Sequence, residues 1–403
     1  MKIITDLHIH GKYSRACSKE LTIPNLEKWA RVKGVGLLGT GDFTHPKWIE
    51  HIKEHLTEKE GILKTKTGFP FILQTEISLI YTQDGKGRSV HILILAPSLE
   101  VVEQITAYLL TKGRVDYDGR PIFKIPCYQL VEDLRKISTD IEVIPAHAWT
   151  PHFGLFGANG GFNSVEEAFK DQAKHIHALE TGLSSDPEMN LRLSGLDKYL
   201  LVSFSDCHSF WPWRIGREAT IFDINPTYKE LLKAIRTREG FVETIEVNPA
   251  YGKYHIDGHR NCNVSLEPNE TQKVNNLCPK CHKPLTIGVL NRVEQLADRK
   301  EGYKENIQKY KTIIPLSDLI SQLRKKGVAT KAVWNEYNPL IEKFGNEYNI
   351  LLNVPEEELT KANPELAPWI ILNRAGKIQV KPGYDGVYGE PILKKEQKGL
   401  NDY

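Results

Sequence analysis

The 403-residue chain has only two Met and no apolar run approaching the ~18 residues that a membrane span needs. Its start, MKIITDLHIHGKYS, is apolar only briefly before Asp6 and His8 break it, so it does not read as a signal peptide. No membrane association is expected, and the expected location is cytoplasmic. Net charge is low, +2, so no global field draws nucleic acid and any such partner must meet a local patch. There is no G-x-x-x-x-G-K-[ST] segment, which argues against a nucleotide-driven motor. Internal repeats and low-complexity tracts are absent. Of six Cys, three fall inside 262–281, which suits a metal site better than a disulfide framework. Cys17, Cys127 and Cys207 are scattered and read as small buried residues.

The first 245 residues alternate strand and helix. Strands are expected at 2–7, 36–41, 69–81, 89–96, 142–146, 176–180, 200–205 and, as the last, 219–224. Helices are expected at 23–33, 46–60, 98–111 and 126–138. This alternation implies an α/β fold, either a barrel or a doubly wound sheet. His8, Asp42, Glu76, His147, Glu180 and Asp206 all stand at or just past predicted strand ends. Six strand ends converging on one face favour a distorted β/α barrel. Three domains are expected. They are a barrel over 1–250, a zinc-binding module over 251–290, and a mainly helical, locally basic region over 291–403. In that last region helical segments are read near 291–310, 315–326 and 330–345, followed by a Pro-rich tail.

The polar residues fall into ordered phrases. Asp6-Leu7-His8-Ile9-His10 carries two imidazoles two residues apart, which point the same way on an extended chain. Gly39-Thr40-Gly41-Asp42-Phe43-Thr44-His45 follows. Gln74-Thr75-Glu76 then places a carboxylate in an apolar strand that cannot bury it unpaired. Next come His91, His147 and the pair Asp206-Cys207-His208. This set resembles the PHP (polymerase and histidinol phosphatase) family. The resemblance covers about residues 1–245. It implies a two- or three-metal phosphoesterase cluster, with His8, His10, Glu76 and Asp206 on one ion. Glu76 would bridge to a second ion held by His91 and His147, and His208 with a second-motif residue would hold a third. Glu76, Asp206 and His208 become the catalytic residues. Two departures stand out. Asp42 is followed by Phe43, so the second-motif ligand is Asp42 or His45. Arg15 and Ala16 occupy positions where the family often has a ligand, with Cys17 the nearest substitute. The mixed imidazole and carboxylate set suits Zn²⁺, with Mn²⁺ or Mg²⁺ replacing some ions.

His259, Cys262, Cys278 and Cys281 have the spacing of a closed structural zinc site, with His255 and His282 as rivals for the fourth ligand. From Arg292 to Lys331 there are ten Lys/Arg and five Asp/Glu, a local net of 10 − 5 = +5, and Arg324-Lys325-Lys326 is the densest run. It reads as a DNA-binding surface or as a solvated helix face. Two loops carry aromatics that either stack on a base or pack on each other. One, 148–162, holds Trp149, Phe153 and Asn159, with Gly154, Gly157, Gly160 and Gly161 as expected hinges. The other, 209–214, holds Trp211 and Arg214. Asn159 and Asn190 are turn residues or readers of a base carbonyl. The phrases LHIHGKYSRACS, LLGTGDFTHP, PAHAWTPHFGLFG and SFSDCHSFWPWRIGRE, with CPKC behind them, resemble the archaeal endonuclease Q family over nearly the whole chain. That resemblance implies a repair endonuclease acting on DNA 5′ to deaminated bases (uracil, hypoxanthine, xanthine) and abasic sites. The alternatives are a small-molecule PHP phosphatase and a non-catalytic PHP domain. A sliding-clamp contact is expected only through a C-terminal tail beyond Asn401-Asp402-Tyr403, read as a truncated end.

Overall fold

The computed structural model describes residues 1–393. Its centre is a ring of strands in which Lys2–Asp6, Leu37–Gly39, Pro70–Gln83 and Glu142–Pro145 run in one direction, while Lys86–Ala96 and Ala219–Asp223 run against them. Lys2–Asp6 runs parallel to Leu37–Gly39, which runs parallel to Pro70–Gln83. Pro70–Gln83 and Lys86–Ala96 form a long antiparallel hairpin, and Glu142–Pro145 pairs with its second arm. The two arms meet at Asp84-Gly85, both at positive φ (51° and 74°), the left-handed geometry that two-residue hairpins require. Ala178–Glu180 and Leu200–Val202 form a separate parallel pair. The ring closes through single contacts, Ala148 N–H to Glu180 O at 2.9 Å and His10 N–H to Cys207 O at 3.2 Å. A chain held by isolated bridges on one side is a barrel in outline and distorted in detail.

Leu7, Leu37, Ile72, Leu93, Ile144, Ala178 and Val202 fill an inner core, while a second, larger core packs the helices on the outside. Several expectations need correction. The helix begun at Pro46 ends at His55, and Thr57–Lys59 turns through Glu60-Gly61, both at positive φ, into a small hairpin with Ile62–Lys64. Ala219–Asp223 is antiparallel to the first strand and is followed by another strand, Phe241–Glu246. Residues 291–310 are not one helix. Val289–Leu296 is helical, and Tyr310–Thr312 adds a strand to the edge of the barrel sheet. The supposed tail contains three helices, Glu347–Leu352, Glu356–Ala362 and Ala367–Arg374, then a hairpin of Gln379–Lys381 with Glu390–Ile392. Among the described residues no helix is long and apolar enough to cross a membrane. Asn401-Asp402-Tyr403 lies outside the described residues.

One buried ion pair fastens the C-terminal helices to the barrel. Lys33 is 1% exposed and donates to Glu347 Oε1 at 2.7 Å and to Pro212 O at 2.8 Å. Glu347 also accepts from Leu316 N–H at 3.0 Å and Tyr337 O–H at 2.8 Å. Both Glu347 oxygens and two of the three Lys33 N–H donors are thus engaged, which is how a buried charge pair is tolerated. Removing one partner leaves the other charge stranded. Glu347→Ala is expected to cost about 3–5 kcal/mol, read as a drop in the denaturation midpoint, whereas an exposed pair such as Lys233 with Glu239 should be replaceable with little change.

Candidate metal centre and the cavity beside it

Four side chains anchor the loops of the barrel mouth. Gln74 Oε1 accepts from Ile9 N–H at 3.3 Å and Gly41 N–H at 3.0 Å, tying three phrases together. Gly41 has φ 69°, and a Cβ there would lie 2.9 Å from the His10 carbonyl carbon, so the second loop needs glycine to pass this close. Asp6 accepts from Ser205 N–H at 3.0 Å, Ser205 O–H at 2.6 Å and Gly216 N–H at 2.8 Å. Burial still pushes its carboxyl up to about 6. Glu180 accepts from His147 N–H at 2.6 Å and holds His8 Nδ1 at 2.9 Å. Asp42 holds His10 Nδ1 at 2.9 Å and accepts from Gly11 N–H at 2.6 Å and Ser14 O–H at 2.8 Å. Asp42, His147 and Asp206 all have positive φ, the backbone turn that aims a side chain inward as a strand ends.

These anchors bring two ligand sets together. Atoms of His8, His10, Glu76 and Asp206 lie within 4.8 Å of one another, as do those of Glu76, His91 and His147. His10 Nε2 is 3.0 Å from Asp206 Oδ1 and 3.2 Å from Glu76 Oε2. His8 Nε2 is buried with no hydrogen-bond partner, 3.6 Å from Glu76 Oε2 and 3.7 Å from Asp206 Oδ1. The other oxygen of Glu76, Oε1, is 2.9 Å from His91 Nδ1 and 3.1 Å from His147 Nε2. An orphaned imidazole nitrogen facing two carboxylates fits a metal ion. The outward nitrogens of His8 and His10 rest on Glu180 and Asp42, the carboxylate–histidine arrangement that fixes a metal-binding imidazole. Burial works against the charge on Glu76, yet His91, Arg120 and His8 hold its carboxyl well below the usual range. Burial brings His91 down to about 4, which keeps it neutral, as a ligand must be.

Asp42 and His45, the two candidates for the second-motif ligand, both lie outside the two ligand groups found at the barrel mouth among the described residues. Asp42 is spent behind His10, and His45 stacks on Tyr13 at 4.6 Å. His208 also stands outside those two groups, with its Nδ1 3.6 Å from Asp206 Oδ1 and its ring 4.5 Å from that of His10. His208 stands at the mouth, Nδ1 3.0 Å from the Asp206 carbonyl. Arg120 was not anticipated. It donates to Glu76 Oε2 at 3.0 Å from a loop whose Gly119 abuts Asp42 and Ser14. Nothing in its local sequence marks it.

His259, Cys262, Cys278 and Cys281 form a further group with ligand atoms within 4.8 Å. His255 and His282 are not among them. The DNA-facing expectations divide. Trp149 is fully buried against Phe156 and donates to Asn190 Oδ1 at 2.8 Å, so neither is available to a base. Phe153 stacks on His91 at 4.3 Å, and Asn159 is exposed. Trp211 sits in an aromatic cluster with Trp29, Phe210, Trp213 and Trp334. Arg324 is held by Glu336 and Glu365, which neutralise it, while Lys325 and Lys326 remain exposed. The glycines of 154–161 are packed rather than free hinges. A Cβ at Gly157 or Gly161 would lie within 2.4 Å of backbone oxygens. Arg214 lines a cavity of about 750 Å³ that opens beside His147, Asp206 and His208.

Fold and site together define a PHP-type barrel with clustered metal ligands. Residues 315–377 match the family described as the MJ0043 C-terminal domain. The uncharacterised protein MJ0043 of Methanocaldococcus jannaschii is 33% identical over 257 residues, 62% of this chain. The match spans only 32% of that longer relative. The uncharacterised protein YqxK of Bacillus subtilis is 28% identical over 96% of this chain and 99% of its own. Among solved structures, the lesion-specific endonuclease PfuEndoQ of Pyrococcus furiosus superposes with TM-score 0.89 at 30% identity, covering 100% of this chain and 98% of that one. An endonuclease Q complexed with a 27-mer duplex bearing an abasic lesion at its active site matches with TM-score 0.89 at 30% identity, over 100% of both chains. The chain belongs to the endonuclease Q family.

The four-residue Cys/His group is separate from the barrel centre and should behave independently of it. Cys278→Ser or Cys281→Ser is expected to lower bound metal by about one equivalent, since four ligands close one ion. Plasma emission spectrometry on purified protein checks this, and unchanged content in both variants would show that the group holds no ion.

Proposed function

We propose that this chain is a metal-dependent endonuclease that hydrolyses the DNA phosphodiester 5′ to deaminated bases and abasic sites. The observation that carries the reading is Glu76, whose two oxygens serve two ligand sets at the edge of a nucleotide-sized cavity. Full-length similarity to a lesion-specific endonuclease supports it. His8, His10, Glu76 and Asp206 would hold one ion, and Glu76, His91 and His147 a second. Zn²⁺ suits these donors, and Mn²⁺ or Mg²⁺ suits the carboxylate-rich set. Such ions supply hydroxide at neutral pH and neutralise the phosphate. His259, Cys262, Cys278 and Cys281 would hold a structural Zn²⁺, in keeping with a module over 251–290 between the barrel and the C-terminal region.

The protein's own groups then divide the remaining work. Glu180 and Asp42 keep His8 and His10 turned toward the centre. His208 donates Nδ1–H to the Asp206 carbonyl, which leaves Nε2 as the basic atom at the mouth. Arg120 offers a guanidinium on the same side of Glu76 as Asp206, where a phosphate oxygen carries charge. A damaged nucleotide leaves the stack and enters the cavity. Extrusion costs least for mispaired or missing bases, which itself favours damage.

Metal-loaded protein should nick uracil, hypoxanthine and abasic duplexes on the 5′ side and spare normal duplex. His8→Ala or Asp206→Ala should lower the rate by more than about 100-fold, because outer partners of metal ligands alone are worth 10- to 100-fold. Equal cleavage of normal duplex would sink the reading. For the basic run, Lys325→Gln with Lys326→Gln should reduce the slope of log K against log salt by about 0.9 for each phosphate that is no longer neutralised. Arg324→Gln should leave that slope nearly unchanged, since Glu336 and Glu365 already neutralise it.

A further inference from the structure

The cavity beside Asp206 and His208 has a second wall, and that wall carries three cations, Arg214, Arg217 and Lys253, none of which forms a salt bridge among the described residues. Arg217 is 8% exposed and lines the cavity. Its Nε and Nη2 donate to the Ser205 carbonyl at 3.2 and 3.1 Å, but Nη1 is buried and makes no hydrogen bond. An unmade bond to a buried charged donor is costly, so a site that keeps one has a use for it. Arg214 and Lys253 line the same cavity. Both lie against the ring of Tyr388, Arg214 at 5.6 Å and Lys253 at 4.6 Å, and Arg214 Nη1 also donates to the Tyr388 hydroxyl at 3.4 Å. Asp318 lines a smaller cavity shared with Arg214, Arg217 and Tyr388, and desolvation pushes its carboxyl up to about 6. Burial raises the Tyr388 phenol, yet Arg217, Arg214 and Lys253 outweigh it and bring the group to about 8. Three cations thus act on one spot.

The wall is built rather than incidental. Tyr388 arrives on a strap that follows Gln379–Lys381, and the strap is fixed along its length. Gly383 N–H donates to Ala250 O at 2.9 Å, Gly386 N–H to Lys253 O at 3.0 Å and Gly389 N–H to Tyr251 O at 3.1 Å. A Cβ at Gly389 would lie 2.1 Å from Ala250 O, so only glycine allows this approach. Asp385 accepts from Arg260 N–H and Thr286 O–H, both at 2.7 Å, which ties the strap to the Cys/His module.

We propose that Arg214, Arg217 and Lys253, with the Tyr388 hydroxyl, form a second phosphate subsite that grips the phosphate on the 3′ side of the nucleotide whose 5′ phosphate lies at the metal ligands. The inference rests on the endonuclease reading. A nucleotide inside the chain carries a phosphate on each side. With one at Glu76 and Asp206, the sugar and base fill the cavity and the other phosphate meets the cationic wall. The subsite therefore selects a polynucleotide over a phosphomonoester, and it gives the Cys/His module a task, namely to hold the strap that presents Tyr388.

The test is a coupling measurement on the full, metal-loaded chain. Uracil duplexes carry one neutral methylphosphonate, either 3′ to the uracil or at a control position outside the protein's footprint. Lys253→Gln and Arg214→Gln, at half-buried positions that make no salt bridge, are compared with wild type, and the circular dichroism and denaturation midpoint of each variant are checked against wild type. For wild type the 3′ methylphosphonate should lower kcat/KM by roughly 10- to 100-fold, the range for hydrogen bonds to charged groups. In either variant the same replacement should cost only a small fraction of that. An equal penalty in wild type and both variants would overturn the subsite. Equilibrium binding of the same duplexes to metal-depleted protein should show the same coupling. If wild type fails to nick the unmodified uracil duplex while the binding coupling persists, the endonuclease reading is wrong and the subsite stands. Absence of coupling in both measurements removes the subsite.

Discussion

Glu76 sits in an apolar strand with no exposure, and a carboxylate cannot remain charged there without partners for both oxygens. Much of the barrel mouth can be derived from that constraint. One oxygen faces His8, His10 and Arg120, the other His91 and His147. Those partners come from strands and loops far apart in sequence, so each must be aimed. Gln74, Asp6, Asp42 and Glu180 do the aiming by accepting backbone N–H groups of the converging loops and the outer nitrogens of His8 and His10. The positive φ at Asp42, His147 and Asp206 is strain of the kind that surrounding structure must over-determine, and these hydrogen bonds supply that structure.

The parts outside the barrel serve the mouth from two directions. The C-terminal helices are pinned by Lys33 and Glu347, and Lys33 also holds Pro212 in the loop that leads to Arg214. The Cys/His module and its neighbouring strap form the far wall of the cavity through Tyr254, Lys253 and Tyr388. The cavity is thus shared between barrel, module and strap. An isolated barrel would keep Arg214 and Arg217 but would lose Lys253 and Tyr388, which close the cavity on its far side.

What was legible in the sequence followed from periodicity. His-x-His, Glu76, His91 and Asp206 stand within or just past strands that converge on one mouth, so their grouping was readable one phrase at a time. The cysteine spacing was readable for the same local reason. What failed depended on partners distant in sequence or on turn geometry. Asp42 and His45 are separated only by how the loop turns at φ 40°, which puts Asp42 behind His10. Arg324 looks cationic until Glu336 and Glu365, 12 and 41 residues away, are placed beside it. Trp149 and Asn190 looked like loop residues but satisfy one another in the core. The helix from Pro46 stops at His55 because Glu60-Gly61 is a hairpin turn, a signal hidden within a charged run. Arg120, Arg217 and Tyr388 had no local mark, since their meaning lies in what the fold sets next to them.

On the proposed function, Glu76 would be shared between two ions while a third would occupy the Cys/His group. Anomalous X-ray scattering from crystals of the metal-loaded protein, collected on both sides of the metal edges, tests it directly. Two separate anomalous peaks are expected to flank the Glu76 carboxylate, one beside His8 and His10 and one beside His91 and His147. A distinct peak is also expected among His259, Cys262, Cys278 and Cys281. A single peak at Glu76, or none, with Arg120 still paired to the carboxylate, would contradict the proposed sharing.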